Sequence, residues 1–171
     1  MSRTSDIRRR WWIIMAMVVA IAVGGVTYLG LRDGTTARQY AAAARGAQVM
    51  PFDLERTTHR FTKNRTGGEQ TVVADDPSDT EQIRLIRQHL AKENAKFSRG
   101  DFSAPETIHG SRRAGLAELA AGYRRVTTEY ADTASGGHIT YTADDPALVT
   151  ALHGWFDAQV SDHGGHAESG G

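Results

Sequence analysis

The stretches GGEQTVVADDP (67–77) and GGHITYTADDP (136–146) align without a gap and agree at seven of eleven positions. Agreement at that level inside one short chain marks a duplicated unit, and such self-similarity decides the architecture before any finer detail. Each copy follows a strand-like run, LERTTHRFTKN (54–64) in the first and YRRVTTEYADT (123–133) in the second. The paired glycines offer positive φ for a hairpin turn. A second strand follows, EQTVVA or HITYTA, rich in β-branched and aromatic residues. Asp-Asp-Pro then opens a helix. In the first copy Ser78 and Glu81 have the spacing of a capping box. In the second, Asp145 can cap and Pro146 sits at the first helical position.

The unit is therefore ββα, repeated. Its helices are expected over about 79–98, ending at Gly100, and over about 146–161, with a third short helix near 112–121 inside an insert spanning 99–122. Four antiparallel strands need one face covered, and two amphipathic helices can cover it. The expected fold is α+β: a four-stranded antiparallel sheet with helices on one face, over residues 51–163, followed by a flexible tail over 164–171.

Upstream, WWIIMAMVVAIAVGGVTYLGL (11–31) contains no charged residue. As a helix it would be about 31 Å long, enough to cross a bilayer core of about 30 Å. Trp11, Trp12 and Tyr28 flank it as interfacial aromatics do, and Arg8, Arg9 and Arg10 precede it. The reading is one N-terminal transmembrane helix, with residues 1–10 as a basic cytoplasmic tail, 32–50 as a juxtamembrane linker and the domain outside the cytoplasmic membrane. A cleaved signal peptide is the alternative, but the small-residue run at 41–44 lies far past the apolar core. The chain from 51 to 171 carries 13 Lys/Arg against 18 Asp/Glu, a mildly acidic balance that argues against nucleic acid as a partner. There is no cysteine, which removes disulfides, thiol catalysis and zinc–thiolate sites.

The candidate chemistry gathers on the first repeat helix. On a helical wheel Ile83, Ile86, Leu90 and Phe97 form one stripe, with Glu93 about 50° and His89 about 90° from its centre. His89 and Glu93 are i,i+4 neighbours, and His109 follows on the insert. His59 shares a strand face with Thr57 and Phe61 and can point toward the helices. Together His89, Glu93, His109 and His59 can hold a transition metal, Cu or Zn, or a haem iron. They can equally be hydrogen-bonded structural residues tying helix to insert. His163 and His166 stand in the DHGGHAESGG tail, where weak divalent-metal binding is the most they would offer. The repeated Asp-Asp-Pro lacks the further oxygen ligands of a calcium loop, and no phosphate loop or nucleophile elbow occurs.

PFDLERTTHRF, DDPSDTEQIRLIRQHL, FSRGDF, IHG and TADDPALVTALHGWFDAQVSDHG together resemble an uncharacterised actinobacterial family of membrane-anchored proteins, over about 51–163. Its members often carry the label aspartate carbamoyltransferase. That label implies carbamoyl transfer, but the Ser-Thr-Arg-Thr loop and His-Pro-x-x-x-Leu segment of such enzymes have no counterpart in this sequence. The resemblance also implies His-Gly-x-x-Met-Pro-Gly-Leu after the insert's loop, whereas this chain places Arg113 where the Met would stand. The function expected is a membrane-anchored extracytoplasmic domain that binds a ligand or a membrane-protein partner, as an accessory to a membrane complex. The alternative is a metal- or haem-binding module. The cleft between the repeat helices and 99–116 is the expected surface.

Overall fold

The computed structural model describes residues 35–110 and 112–170. The chain divides into two compact units, 1–38 and 39–171. The expected transmembrane span at 11–31 lies outside the described residues. Among those described, no helix is long and apolar enough to cross a membrane. In the first unit only 35–38 is described, and it is helical.

The second unit is α+β. Its strands are β1 (Thr57–Asn64), β2 (Gly67–Ala74), β3 (Thr127–Thr133), β4 (Gly136–Thr142) and β5 (Ala167–Gly170). Its helices are α1, over 35–49 and counted here from residue 39, α2 (Thr80–Phe97), α3 (Ser103–His109), α4 (Leu116–Gly122) and α5 (Pro146–His163). A 3-10 turn precedes the first strand of each repeat, Leu54–Arg56 before β1 and Tyr123–Arg125 before β3.

The duplication is visible as symmetry. The sheet order is β3-β4-β2-β1-β5, so the second strand of each repeat lies at the centre. β2 and β4 pair antiparallel, and their register sets Gln70 opposite Ile139. Those two residues are each other's repeat counterparts, so a local two-fold axis passes between them. The helices cross over this axis: α2 packs chiefly on β4 and β3, whereas α5 packs on β2, β1 and β5. Each repeat helix thus lies mainly over the other repeat's hairpin, and α2 also reaches β2 of its own unit. Arg56 pairs with Asp79 and Arg125 with Asp145, joining the chain just before each first strand to the cap of the following helix.

The inward face of the sheet carries Phe61, Val72, Ile139 and Tyr141, all at most 2% exposed. Against them pack Ile86 and Leu90 of α2 and Leu152, Trp155 and Phe156 of α5. Each such side chain contributes about 1.5–3 kcal/mol of burial free energy. The stripe expected on α2 is the buried one.

Five expectations change. The sheet is five-stranded and mixed, because residues expected as a flexible tail form a 3-10 turn at Gly164–His166 and then β5, parallel to β1. The paired glycines do not make the hairpin turns. Register pairs Asn64 with Gly67 and Thr133 with Gly136, so the turns are Arg65–Thr66 and Ala134–Ser135, and the glycines begin the central strands. They are there for close approach: a Cβ on Gly67 would overlap the Tyr141 carbonyl oxygen, and one on Gly136 the equivalent oxygen of Val72. Asp79, not Ser78, caps α2, its side chain accepting from the Gln82 amide, while Ser78 donates to Asp76. The insert holds two helices rather than one, because Ser103–His109 also folds as α3. Finally, residues 39–49 of the expected linker pack into the unit: Ala42 is buried, and the Arg45 guanidinium donates to the Ile108 carbonyl at 2.7 Å.

Candidate functional site

One cavity of about 40 Å³ lies between α2, α3 and α5, over β1 and β2. All four residues singled out in the sequence, His59, His89, Glu93 and His109, line it. β1 alternation turns His59 inward beside Thr57 and Phe61. α2 brings His89 and Glu93 one turn apart, and α3 ends on His109. Gln70 of β2 and Trp155, Gln159 and His163 of α5 complete the polar and aromatic wall, and Leu90, Phe97, Pro105 and Ile108 the apolar part.

The sequence puts His163 in a flexible tail; the structure puts it in the cavity wall. It is the last residue of α5, and its ring stacks on His59 with centroids 4.9 Å apart and planes 14° from parallel. It also meets the His109 ring edge-on at 5.3 Å. His89 stands apart from this trio, its ring against the edge of Phe52 at 5.5 Å. A two-residue extension of α5 past the expected end supplies the signal that was missing. DHGGH reads as a tail until the helix is known to run through Asp162 and His163.

Asp162 is 3% exposed and accepts on both oxygens. His109 Nδ1 lies 2.9 Å from its Oδ2, and the Arg113 guanidinium forms an ion pair with it. The Arg113 guanidinium and the His109 ring share this carboxylate, and the Gln159 side chain hydrogen-bonds His109 as well, so the ring is held on two sides. Arg113 thus orients the carboxylate that orients His109.

Every imidazole of the cavity is held neutral. Burial, then the Lys96 and Lys92 charges, brings the His89 pKa down to about 4. Burial, then the Arg113 and Arg45 charges, brings His109 to about 4. Burial, then His109 and His166, takes His163 to about 3, and burial followed by the neighbouring histidines takes His59 well below its ordinary value.

Around this cavity polar atoms lack partners. His59 Nδ1, Glu93 Oε2 and Trp155 Nε1 are buried with no hydrogen bond. The other Glu93 oxygen is held by Lys96 at 2.9 Å. Leaving a buried polar group unpaired costs about 1–3 kcal/mol. Three such groups on residues of one cavity wall point to something that satisfies them there. The volume admits about three or four waters or a small ligand or ion, at about 10–15 Å³ per water, but no porphyrin.

The four sequence-chosen residues share a cavity without forming one coordination site. Among the described residues no group of three His, Cys, Asp or Glu side chains is arranged to hold a metal ion. Glu93 turns toward Lys96, and Tyr141 feels its charge, whereas His109 turns toward Asp162. No family model, no curated protein and no solved structure matches the chain.

Proposed function

We propose that the chain is a membrane-tethered binding module. The apolar run at 11–31 is its anchor, and the unit over 39–171 presents the histidine cavity on the extracytoplasmic side, in keeping with the family its motifs resemble. The bound molecule is small and polar. One observation carries this reading: the unpartnered His59 Nδ1, Glu93 Oε2 and Trp155 Nε1 belong to residues around a single small cavity whose wall mixes apolar side chains with imidazoles and amides. Small-molecule sites have this makeup, apolar walls with a few polar groups that fix orientation. A cavity of this kind suits an accessory subunit that captures a ligand or ion for a membrane complex. Carbamoyl transfer has no residues behind it in the cavity, which contains no arginine and no hydroxyl side chain among its lining.

The test uses the full chain in detergent, isotope-labelled for NMR, with sodium acetate, methylammonium chloride and zinc chloride as probes. Saturable shifts of the Trp155 indole and of the cavity histidine rings with at least one probe are expected. If none of the three moves them, the binding reading falls. Extraction of membranes at alkaline pH is expected to leave the chain in the pellet, and release into the supernatant would remove the anchor.

A further inference from the structure

We infer that the end of α5 and the strand after it form an acid-released strap: at neutral pH His163, the turn Gly164–His166 and β5 lie along β1 and close the histidine cavity, and at acid pH they leave it. This goes beyond the binding reading and does not depend on what the cavity holds.

Two attachments meet at one residue. β5 pairs with β1 from Ala167 on His59 to Gly170 on Thr62, and the His163 ring stacks on the same His59 with centroids 4.9 Å apart. Whatever moves His163 off His59 therefore acts where the strap's pairing begins. Two glycines link the stack to the strand. Gly164 ends α5 at φ +57°, and at Gly165 an added Cβ would meet nothing within 4 Å, so the link can swing. The strand beyond is only four residues long. Its polar ties, Glu168 to Arg60 and His166 to Glu55, are exposed ion pairs, which contribute little. Segments held by so little open at lower free energy than the core.

The rings are where acid acts. His163 faces His59 on β1, His109 on α3 at 5.3 Å and His166 in the turn that follows. His59 has those three around it and His89 of α2 as well. Beyond the histidines, Arg113 and Arg45 act on His109, and Lys96 and Lys92 on His89. The two buried carboxylates among the described residues are already matched, Asp162 by His109 and Arg113, and Glu93 by Lys96. A proton on the stacked pair thus meets like charge and no free counter-charge, and burial adds its own penalty. In the released strap His163 is in water and titrates near 6.5. The open form binds the proton more tightly, so acid drives opening. With about 3 for the closed ring, the ratio of open to closed rises about 25-fold from pH 7 to pH 5 through His163 alone. Charging His166 strengthens its contact with Glu55, but that exposed pair opposes release only weakly.

Hydrogen exchange by NMR on the isotope-labelled full chain in detergent tests this at pH 7 and pH 5, each rate divided by the intrinsic rate at that pH. Protection of the amides between β1 and β5 is expected to fall at least about 25-fold. Those amides should also open at lower free energy than the ones joining β2 to β4. Cross-strand NOEs between His59 and Ala167 should weaken over the same range, while those between β2 and β4 persist. His163→Phe keeps a ring on the stack but takes no proton, and should cut the pH response at least about ten-fold. His166→Gln should leave the response within about three-fold of the parent. Unchanged protection at pH 5, or a full pH response in His163→Phe, overturns the inference. So does an equal loss at the β1 edge and between β2 and β4, because the whole sheet then unfolds and no strap is released. Should His163→Phe fail to fold, that comparison of edge and centre in the parent decides.

Discussion

Gly67 shows how one residue carries the duplication. It has φ +145°, and an added Cβ would overlap the Tyr141 carbonyl oxygen on the neighbouring central strand. Gly136, its repeat counterpart, meets Val72 in the same way. The two glycines let β2 and β4 come close at the two ends of their ladder, either side of the local two-fold axis, which is why both copies keep them. Gly67→Ala is expected to lower stability by at least about 2 kcal/mol, from backbone overlap and a strained φ together. Gly136→Ala should lose a comparable amount. Gly154 sits inside α5, where a Cβ would only touch Ala114 at 3.6 Å. Gly154→Ala should therefore stabilise by up to about 1 kcal/mol through helix propensity and unfolded-state entropy. Urea unfolding monitored by tryptophan fluorescence reads all three. A neutral Gly67→Ala would contradict the close-approach account.

At the scale of elements, the repeat was legible and β5 was not. Strand pairs, both repeat helices and the Asp145 cap follow from local pattern: β-branched runs, an apolar stripe at helical spacing, and Asp-Pro at a helix start. β5 has no such signal. Ala-Glu-Ser-Gly is poor in β-branched residues, and the strand forms because α5 delivers the chain beside the free edge of β1. α3 is only seven residues long and starts without a side-chain cap, too short to declare itself by periodicity. The candidate site divides along the same line. His59, His89 and Glu93 could be placed by strand and helix period, whereas His163 depends on where α5 ends. β5 pairs His59 through Thr62 with Ala167 through Gly170, and Arg60 forms an exposed ion pair with Glu168. Backbone pairing should matter here and the ion pair hardly at all. A chain ending at His166 is expected to lose about 1–2 kcal/mol and to exchange the amides of the β1 edge faster, by analogy with other uncovered edges. Glu168→Ala should stay within about 0.5 kcal/mol. If hydrogen exchange in β1 is unchanged by the truncation, the pairing with β5 is not holding that edge.

For the molecule as a whole, one cavity holding four neutral imidazoles sets a pH dependence. In the unfolded chain each histidine titrates near 6.5. In the folded protein burial lowers His89 and His109 to about 4 and His163 to about 3, with His59 also far down. Between these values the unfolded state binds more protons than the folded one, so stability falls as pH drops from about 6.5 and goes on falling until the folded rings protonate. From pH 6.5 to 5 each such ring can cost up to about 2 kcal/mol, at 1.36 kcal/mol per pH unit. The shifted carboxylates act elsewhere. Asp76, Glu81 and Asp101 are lowered from ordinary values of 3.8, 4.5 and 3.8, so their contribution is lost only at more acid pH. The window from 5 to 6.5 therefore reports the cavity. Chelator-treated protein should unfold at clearly lower urea concentration at pH 5 than at pH 7, and His59→Phe, which removes one buried imidazole and its unpaired nitrogen, should flatten the dependence by about one proton. Equal midpoints at the two pH values would mean that these rings are not held neutral. A steep dependence untouched by His59→Phe would place its origin outside the cavity.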